Sequence, residues 1–360
     1  MVIVGTGMIG TSVALALRGC GAQVWLSDTD PGAAQLAADL GAGQPIPAGG
    51  TLPEPADLAV LAMPPVMVAP SLREAQRREL ARCYTDVASV KQLPLRAARE
   101  LGCDLSSFVP GHPMSGRERS GPAVARADLF VGRPWVICPA DAAAPECVVV
   151  VTELISACGA QLIQMTAHEH DQCMALVSHV PHLLASAMAA QCADAATRTL
   201  ALAGPGLRDV TRIAAGDASL WTEILAANAG GVREVLLGVA NQLAGAAAAL
   251  ADIEAGRDES VKLLTTMLES GRDGAARIPG KQGGPAPSYA AVQVVIGDQP
   301  GELARLFAAA GAAGINIEDV RIEHSPGLPV GVAELSVGPE VAEQLSAALA
   351  AAGWPVASPA

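Results

Sequence analysis

Three glycines near the start of the chain have the spacing of a phosphate-binding turn. They follow an apolar run at residues 2–4 in the pattern G-x-G-x-x-G. In such a turn the first glycine permits the tight bend, the second lets a pyrophosphate approach the backbone, and the third allows close packing of the next helix. A helix predicted at residues 11–18 would direct its unpaired N–H groups at the phosphates. The predicted cofactor-binding residues of this turn are Gly5, Thr6, Gly7, Met8, Ile9 and Gly10.

The acidic residue that follows the second predicted strand indicates which dinucleotide binds. The apolar run at residues 24–26 leads to Asp28, near the distance at which an acidic side chain meets the adenosine ribose. A carboxylate there binds the 2′-hydroxyl of NAD and repels the additional phosphate of NADP, and no arginine follows it closely. Met63 and Pro64 end another predicted strand at the same sheet edge. The sequence therefore predicts NAD as the cofactor, with these three residues among its contacts.

A histidine in a polar, non-periodic stretch is the first candidate for proton transfer. His112 lies between a glycine and a proline, which predicts a loop from which the imidazole can reach a ligand. Its unperturbed pKa of about 6.5 suits proton acceptance near neutral pH, although a lone loop histidine is more often not catalytic. Ser89 and Lys91 end a neighbouring predicted strand, on the face where the nicotinamide is expected. Either of them alone proves little.

Further candidate site residues occur in the part of the chain where apolar residues recur with the helical period. His168, His170 and Asp171 form one cluster, followed by His179 and His182, which are three residues apart and share a helical face. Zinc binding is the obvious alternative for these histidines. No H-E-x-x-H motif or cysteine pair accompanies them, so no metal is expected.

Two arginines in the same region have the spacing of an anion clamp. Arg208 and Arg212 are four residues apart, so on a helix both guanidinium groups would point the same way. Like charges at this spacing repel unless an anion or Asp209 lies between them. A solvated basic face is the alternative, but the flanking apolar residues favour a partly buried anion clamp.

The composition excludes several classes of protein. A chain of 360 residues can form two or three domains, and a net charge of −13 disfavours nucleic acid or an anionic membrane as partner. Residues 173–193 carry no formal charge but contain several polar side chains, so we expect a helix buried in a core or subunit interface and not a membrane span. No secretory signal precedes the first predicted strand. The eight cysteines are scattered, which predicts reduced thiols in a cytoplasmic protein.

Hydropathy patterns divide the chain into four parts. Residues 1–147 alternate short apolar strands with helices, the last strand at residues 135–138, which predicts a doubly wound parallel α/β sheet of the Rossmann type. Residues 148–270 have the helical period and predict an all-α domain, and residues 271–288 are predicted as a linker. Residues 289–360 follow the order β-α-β-β-α-β, which is typical of a ferredoxin-like domain. A purely structural appendage is the alternative there.

Taken together, these motifs resemble one family: the prephenate dehydrogenases of tyrosine biosynthesis, in the bacterial form with a C-terminal ACT domain. The resemblance covers nearly the whole chain, and the combination is far more specific than any single motif. The Ala-rich composition, with Arg in preference to Lys, is similar to that of actinobacterial members. Besides the glycine turn, the segments that carry the resemblance are residues 85–91 (TDVASVK), 112–116 (HPMSG), 178–182 (SHVPH) and 208–214 (RDVTRIA).

The resemblance implies a role for each matching residue. His112 matches the histidine that deprotonates the ring C4 hydroxyl of prephenate as a hydride leaves C4 for NAD⁺. Ser89 matches the serine that orients this histidine, and Arg212 matches the arginine that binds a substrate carboxylate. The residues expected to bind substrate or line its pocket are Arg212, His179, His182, Arg208, Lys91, Arg117 and Glu118.

The residues indicate the class of substrate more directly than they distinguish prephenate from arogenate. Prephenate and arogenate differ only in a keto or an ammonium group on the side chain. Arg117 and Glu118 bear on this choice, because other members often have a threonine or another small residue before the acid. Prephenate is expected, since the whole sequence resembles the prephenate-using type, and arogenate is the alternative. A hydroxy-acid or imine dehydrogenase of the same fold, and a non-catalytic sensor of NAD and amino acids, also stay open.

The resemblance also implies regulation and assembly. ACT domains bind amino acids at turns similar to residues 298–303 and 314–317. Gly301 would allow close backbone approach there, and Asn316, expected at the start of the second strand of this domain, would bond to the effector. Tyrosine is therefore the expected feedback inhibitor. The family generally forms homodimers, here expected through the apolar stretches at residues 173–193 and 235–251.

Overall fold

Two compact units make up the chain, Met1–Asn241 and Gln242–Ala360, with the boundary inside a long helix. The computed structural model describes residues 1–46, 50, 52–115, 121–279, 289–324 and 329–357. Arg117 and Glu118, predicted to bind substrate, lie outside these described residues, as do residues 280–288 of the predicted linker.

A six-stranded parallel sheet forms the centre of the first unit. Its strands are β1 (Val2–Val4), β2 (Trp25–Ser27), β3 (Gln44–Pro45), β4 (Ala56–Leu61), β5 (Ala81–Asp86) and β6 (Phe108–Val109). They lie in the order β3-β2-β1-β4-β5-β6, and every neighbouring pair is parallel. The predicted doubly wound sheet is confirmed. Its order reverses between β1 and β4, where such sheets bind ligands beyond the carboxyl ends of their strands.

Helices cover both faces of this sheet, which explains its continuous apolar strands. They are α1 (Met8–Gly19), α2 (Pro31–Asp39), α3 (Pro65–Arg77), α4 (Gln92–Glu100) and α5 (Pro145–Ala157). Successive residues of a strand point to opposite faces. Ile3 and Val60 therefore pack with α1, α2 and α5, whereas Val2 and Leu61 pack with α3 and α4.

A second sheet of three strands corrects two predictions. Its strands are β7 (Gly111–Pro113), β8 (Pro134–Ile137) and β9 (Gln161–Gln164). β8 pairs antiparallel with β7 and parallel with β9, so the strand predicted at residues 135–138 does not close the large sheet. His112 lies in β7 and not on a loop, because its backbone pairs with Val136. β9 also interrupts the stretch from residue 148 that was predicted to be all helical.

Two cysteines form a disulfide bond, contrary to the prediction that all thiols are reduced. Cys83 of β5 and Cys147 of α5 are joined, with their Cα atoms 5.4 Å apart. Both are buried in the core where α5 packs on the sheet. The pairing joins positions 64 residues apart, so it depends on tertiary packing that no cysteine spacing motif could indicate.

Helices follow from residue 167 onward. They are α6 (Ala167–Met174), α7 (Val180–Ala190), α8 (Thr197–Leu200), α9 (Pro205–Thr211), α10 (Ala218–Ala227) and α11 (Ala229–Glu254). Thr166 and Glu169 form a capping box at the start of α6. A single π turn, Ala175–His179, joins α6 to α7, and a 3₁₀ turn, Arg212–Ala215, follows α9. Pro181 in the first turn of α7 has no N–H to donate to the preceding turn, which accommodates the irregular backbone there.

Two helical stretches are long and apolar enough to cross a membrane, judged by length and composition alone. Ala167–Ala190 and Ala229–Glu254 each have a mean hydropathy of 1.4 over their most apolar window. About a third of that window is buried in the first stretch, against 6% in the second. The described residues therefore bury little of the apolar surface of the second helix.

The second unit contains a small antiparallel sheet and several helices. The helix α12 (Val261–Ala276) includes residues 271–276, which corrects their prediction as linker. The further elements are β10 (Ala290–Gly297), α13 (Glu302–Ala312), β11 (Asp319–His324), β12 (Val330–Val337) and α14 (Ala342–Ala351). The strands pair in the order β10-β12-β11, and α13 and α14 contribute Leu306 and Leu345 to the core on the sheet.

Two details of this unit differ from the prediction. β11 begins at Asp319, opposite Ser336, so Asn316 precedes the strand and does not start it. The expected last strand is reduced to one antiparallel bridge between Val356 and Val294 of β10.

Candidate active site

A row of hydrogen bonds connects His112 to a buried carboxylate. Nδ1 of His112 lies 2.9 Å from Nε2 of His170, and Nδ1 of His170 lies 2.8 Å from Oδ1 of Asp171. His112 is half-buried, whereas the other two side chains are fully buried. α6 thus supplies two residues that hold the histidine of β7. The sequence indicated His170 and Asp171 only as members of a polar cluster.

Asp171 also binds the N-terminus of α4. Its Oδ1 accepts from the backbone N–H of Lys91 at 2.8 Å, and its Oδ2 accepts from that of Gln92 at 2.9 Å. These N–H groups have no partner within the helix. Burial alone would raise the pKa of Asp171, but the hydrogen bonds from His170, Gln92 and Lys91 lower it overall. The carboxyl group is therefore ionised at neutral pH.

Both imidazoles of the row are neutral at pH 7. Burial lowers the pKa of His112 well below its usual value, and the nearby ring of His170 and the ammonium group of Lys91 lower it further. Burial also lowers the pKa of His170, against the opposing effect of Asp171. A neutral imidazole can accept a proton from a ligand. His112 is thus in the protonation state that a general base requires.

Lys91 holds the backbone around the site and does not face a substrate. Its side chain is fully buried, and Nζ lies 2.5 Å from both Oδ2 of Asp86 and the carbonyl oxygen of Gly111. Asp86 in turn accepts from the N–H of Gly111 at 3.0 Å. This ion pair therefore fixes the residue that precedes His112. The expectation that Lys91 binds substrate is corrected, because its ammonium group is already bound inside the protein.

Two serines are close in sequence to residues of this site. Ser89 is half-buried in the connection between β5 and α4. Among the described residues its hydroxyl makes no hydrogen bond, so the implied contact from Ser89 to His112 is not seen, and His170 occupies Nδ1 instead. Ser115, which the sequence did not single out, has a buried hydroxyl without a partner in the part of the chain that the structure describes.

The two histidines around the π turn are held by an asparagine and a tryptophan. Nδ2 of Asn228 lies 3.1 Å from Nδ1 of His179 and donates to the carbonyl oxygen of Asp171 at 2.6 Å. His182 stacks on Trp221 with ring centroids 3.6 Å apart, and His179 meets the same tryptophan edge-on at 6.3 Å. Burial lowers the pKa of His179 to about 4. A π turn is a frequent feature of functional sites.

Trp221 lies in α10 and Asn228 between α10 and α11, so no local motif could have linked them to the histidines. Within the described ranges, no group of three or more His, Cys, Asp or Glu is arranged to hold a metal ion. The histidines are therefore placed by packing and hydrogen bonds.

The two arginines lie on elements that pack against α7. Arg208 belongs to α9, and Arg212 begins the 3₁₀ turn. A Cβ placed on Gly216, just after this turn, would lie 3.1 Å from Cε1 of His182, so the turn ends beside the stacked histidine. Both arginine side chains are exposed, which corrects the prediction of a partly buried clamp. The short α9 runs along the surface.

The glycine turn has the geometry that a dinucleotide needs. Gly5 has a φ of +97° and lies so close to the chain after β4 that a Cβ would stand 2.2 Å from the carbonyl oxygen of Ala62. A Cβ on Gly10 would lie 2.0 Å from the carbonyl oxygen of Gly5, whereas one on Gly7 would meet no described atom within 4 Å. Met8 begins α1 and packs its side chain into the core. An open backbone at a helix N-terminus fits a pyrophosphate.

Asp28 follows β2 beside this turn. Its Oδ2 accepts from the backbone N–H and the hydroxyl of Thr6 at 2.5 and 2.8 Å, and its Oδ1 accepts from the N–H of Asp30 at 2.9 Å. Partial burial would raise the pKa of Asp28, but these hydrogen bonds lower it overall. The carboxylate is thus charged and oriented, as ribose recognition requires. Met63 and Pro64 lie between β4 and α3, at the same edge of the sheet.

The two predicted effector residues lie in the second unit. Gly301 has a φ of +93° at the start of α13, a conformation that favours glycine. Asn316 is exposed and donates to Oε1 of Glu318 at 2.6 Å. Both turns therefore present polar groups at the surface.

A doubly wound sheet whose dinucleotide turn accompanies a neutral histidine defines an NAD-dependent dehydrogenase. Comparison with known proteins identifies the group within that class. Residues 13–164 match the family described as "Prephenate dehydrogenase, nucleotide-binding domain", and residues 166–268 match "Prephenate dehydrogenase, dimerization domain". The chain belongs to the prephenate dehydrogenase family, and its cofactor is NAD.

Individual relatives agree with this assignment. The "Probable prephenate dehydrogenase NovF" of Streptomyces niveus is 40% identical over 362 residues, 99% of each chain. The prephenate dehydrogenase of Bacillus subtilis (strain 168) is 25% identical, covering 89% of this chain and 87% of its own. Among solved structures, Synechocystis arogenate dehydrogenase has a TM-score of 0.63 at 25% identity, over 76% of this chain and 99% of that one. The fold is also that of Aquifex aeolicus prephenate dehydrogenase in complex with hydroxyphenyl propionate and NAD⁺, with a TM-score of 0.65 at 24% identity, over 76% and 96% of the two chains.

Proposed function

We propose that this chain oxidises prephenate with NAD⁺ and releases carbon dioxide, forming 4-hydroxyphenylpyruvate. The observation that carries the proposal is the neutral imidazole of His112, which is bound to the protein through Nδ1. The C4 hydroxyl gives its proton to a base as the hydride leaves and C4 becomes a carbonyl carbon. When the ring carboxylate then leaves as carbon dioxide, the ring becomes aromatic and the phenolate oxygen takes a proton back. When bound, NAD⁺ supplies the acceptor for the hydride from C4.

The remaining residues of the site have binding roles in this proposal. Prephenate carries two carboxylates, for which guanidinium groups are suitable partners. We assign Arg212 to one carboxylate, with Arg208 nearby, since both lie on elements packed against α7. His179 and His182 form part of the pocket wall, held by Asn228 and Trp221. Ser89 lies where β5 ends, at the edge of the sheet that receives the nicotinamide.

The substrate is tested by steady-state turnover of the purified full chain with NAD⁺ and either prephenate or arogenate, following NADH and carbon dioxide. We expect a higher kcat/KM with prephenate. A preference for arogenate would show that the ammonium compound is the substrate, as the name of the Synechocystis neighbour suggests. No turnover of either compound would contradict the proposal and favour a non-catalytic sensor.

We also propose that the C-terminal part is an ACT domain that binds tyrosine. Its β-α-β-β-α order, with Val356 bridged to β10, supports a ferredoxin-like arrangement. Tyrosine should inhibit turnover, and Asn316→Ala should weaken that inhibition, because its amide would bond to the effector. Gln293→Ala, on the outer face of β10, is the control. Equal inhibition of the Asn316 variant and the control would contradict this binding site.

A cytoplasmic homodimer is the form that we propose for the enzyme. The match of residues 166–268 to a dimerization domain and the apolar surface of α11, little of which the described residues bury, support the dimer. The relatives, which are dehydrogenases of small acids, support the location.

A further inference from the structure

The row formed by Asp171, His170 and His112 determines which nitrogen of each imidazole carries a proton. An ionised carboxylate has only lone pairs, so Nδ1 of His170, at 2.8 Å from Asp171, is the donor. In a neutral imidazole the other nitrogen is an acceptor. Nε2 of His170 therefore accepts a hydrogen bond from Nδ1 of His112, at 2.9 Å. The nitrogen of His112 left with a free lone pair is Nε2.

We propose that His170 is a positioning residue for the prephenate oxidation, which holds His112 in the tautomer whose Nε2 accepts the C4 hydroxyl proton. This inference rests on the proposed function. In the step, the O–H bond of the substrate breaks and an N–H bond forms at Nε2 of His112. The resulting imidazolium keeps its Nδ1–H directed at His170. Asp171 acts through His170, because its charge stabilises the positive charge across the two rings.

The surroundings of the row prevent His170 from turning to another partner. Its side chain is fully buried, and its ring meets that of His112 edge-on, with centroids 5.1 Å apart. Asp171 is held by two N–H groups of the start of α4, and its own carbonyl oxygen accepts from Asn228. The donors and acceptors of the row are therefore fixed in one order from the carboxylate to His112.

A direct test measures the tautomer of His112 in the full-length protein labelled with ¹⁵N-histidine. The imidazole ¹⁵N shifts distinguish a proton on Nδ1 from one on Nε2, and His112→Asn identifies the signal among the six histidines. We expect the proton on Nδ1. A proton on Nε2 would overturn the inference. Because this measurement needs no substrate, it is independent of the proposed function, whose failure would appear as no turnover of prephenate by the wild type.

A second test separates hydrogen bonding from packing. In His170→Gln, the amide oxygen can accept from His112 and the amide nitrogen can donate to Asp171, whereas His170→Phe fills the volume with neither group. We expect His170→Phe to lower kcat by about 10²-fold with little change in the KM for prephenate, because the base loses its tautomer control. His170→Gln should retain most of the wild-type kcat.

The control for these variants is His168→Phe, an exposed position on the same helix, which should keep the wild-type kcat. A wild-type kcat in His170→Phe would overturn the inference. So would an equal loss in the Phe and Gln variants, because that result would indicate a role in packing alone.

Discussion

Buried charges around His112 are each bound on several sides by groups of the protein itself. Asp86 binds Lys91 and the N–H of Gly111, so neither charge can act on a ligand. Asp171 binds two backbone N–H groups and His170. The charges therefore position the backbone and the imidazoles, while His112 itself stays neutral.

Replacement of Lys91 tests this structural role. Lys91→Met leaves the carboxylate of Asp86 buried without its partner, so we expect a loss of about 3–5 kcal/mol in the free energy of unfolding. Urea unfolding measures it, and Lys91→Met combined with Asp86→Asn should recover part of the loss. A stable single variant with a raised KM for prephenate would instead place this lysine at the substrate.

His179 should make stability depend on pH. Its pKa falls from 6.5 to about 4 on folding, so between these values the unfolded chain binds a proton that the native protein does not. The contribution of His179 to the free energy of unfolding is therefore fully present above pH 6.5. It is lost as the pH falls toward 4, and the loss is on the order of 3 kcal/mol. Urea midpoints across this range should fall less steeply in His179→Gln. Parallel pH dependences of the variant and the wild type would contradict the assignment.

The sequence could identify individual site residues better than the residues that they contact in the fold. His112 is recognisable from its Gly-His-Pro setting and from the motifs that accompany it. Its partner His170 lies 58 residues away, and nothing in the spacing indicates that β7 and α6 meet. Lys91 was misassigned for the same reason, since its contact with Gly111 joins the start of α4 to the start of β7.

At the scale of elements, the turn between β1 and α1 must both leave room for the cofactor and pack against neighbouring backbone. Different glycines of the turn meet these two requirements. Gly10 is in contact with the backbone of Gly5, whereas no described atom would lie within 4 Å of a Cβ on Gly7. One position should therefore govern stability and the other affinity.

Two alanine variants test this division. Gly10→Ala forces a methyl group onto the carbonyl of Gly5 and should destabilise the protein by about 1–3 kcal/mol. Gly7→Ala should keep the wild-type stability but weaken NAD⁺ binding, because the methyl group stands where the pyrophosphate approaches. Calorimetry of unfolding and of NAD⁺ binding measures both effects. Unchanged NAD⁺ affinity in Gly7→Ala would contradict the placement of the pyrophosphate.

Elements with local signals were predicted well, and those that depend on distant pairing were not. The apolar runs of β1 and β4 are largely buried, so the pattern alone indicates them. β9 is only four residues long and entirely exposed, so it has no long apolar run that could indicate a buried strand. β8 pairs with β7 and β9 and not with the large sheet, which its own sequence does not show. The Cys83–Cys147 bond and the π turn likewise depend on contacts that no local pattern shows.

At the scale of the whole molecule, α11 exposes large apolar side chains in the part of the chain that the structure describes. Leu237, Leu243 and Leu250 of this helix are between 47% and 57% exposed. Apolar surface of this kind marks protein interfaces. The match to a dimerization domain covers all three positions.

Sedimentation of the purified chain tests the homodimer. We expect a dimer for the wild type and dissociation in Leu243→Glu, because a charge would replace apolar contact in the interface. Leu36→Glu, at a comparably exposed position on α2, is the control and should stay dimeric. A monomeric wild type, or a dimer unaffected by Leu243→Glu, would contradict this interface.

The central claim is that the chain oxidises prephenate with His112 as the base. The most direct test compares kcat for prephenate and NAD⁺ between the wild type and His112→Asn, with the affinities for both ligands measured alongside. The account predicts turnover by the wild type and a kcat lower by about 10²–10⁴-fold in the variant, with both affinities largely kept. A wild-type kcat in His112→Asn would contradict it.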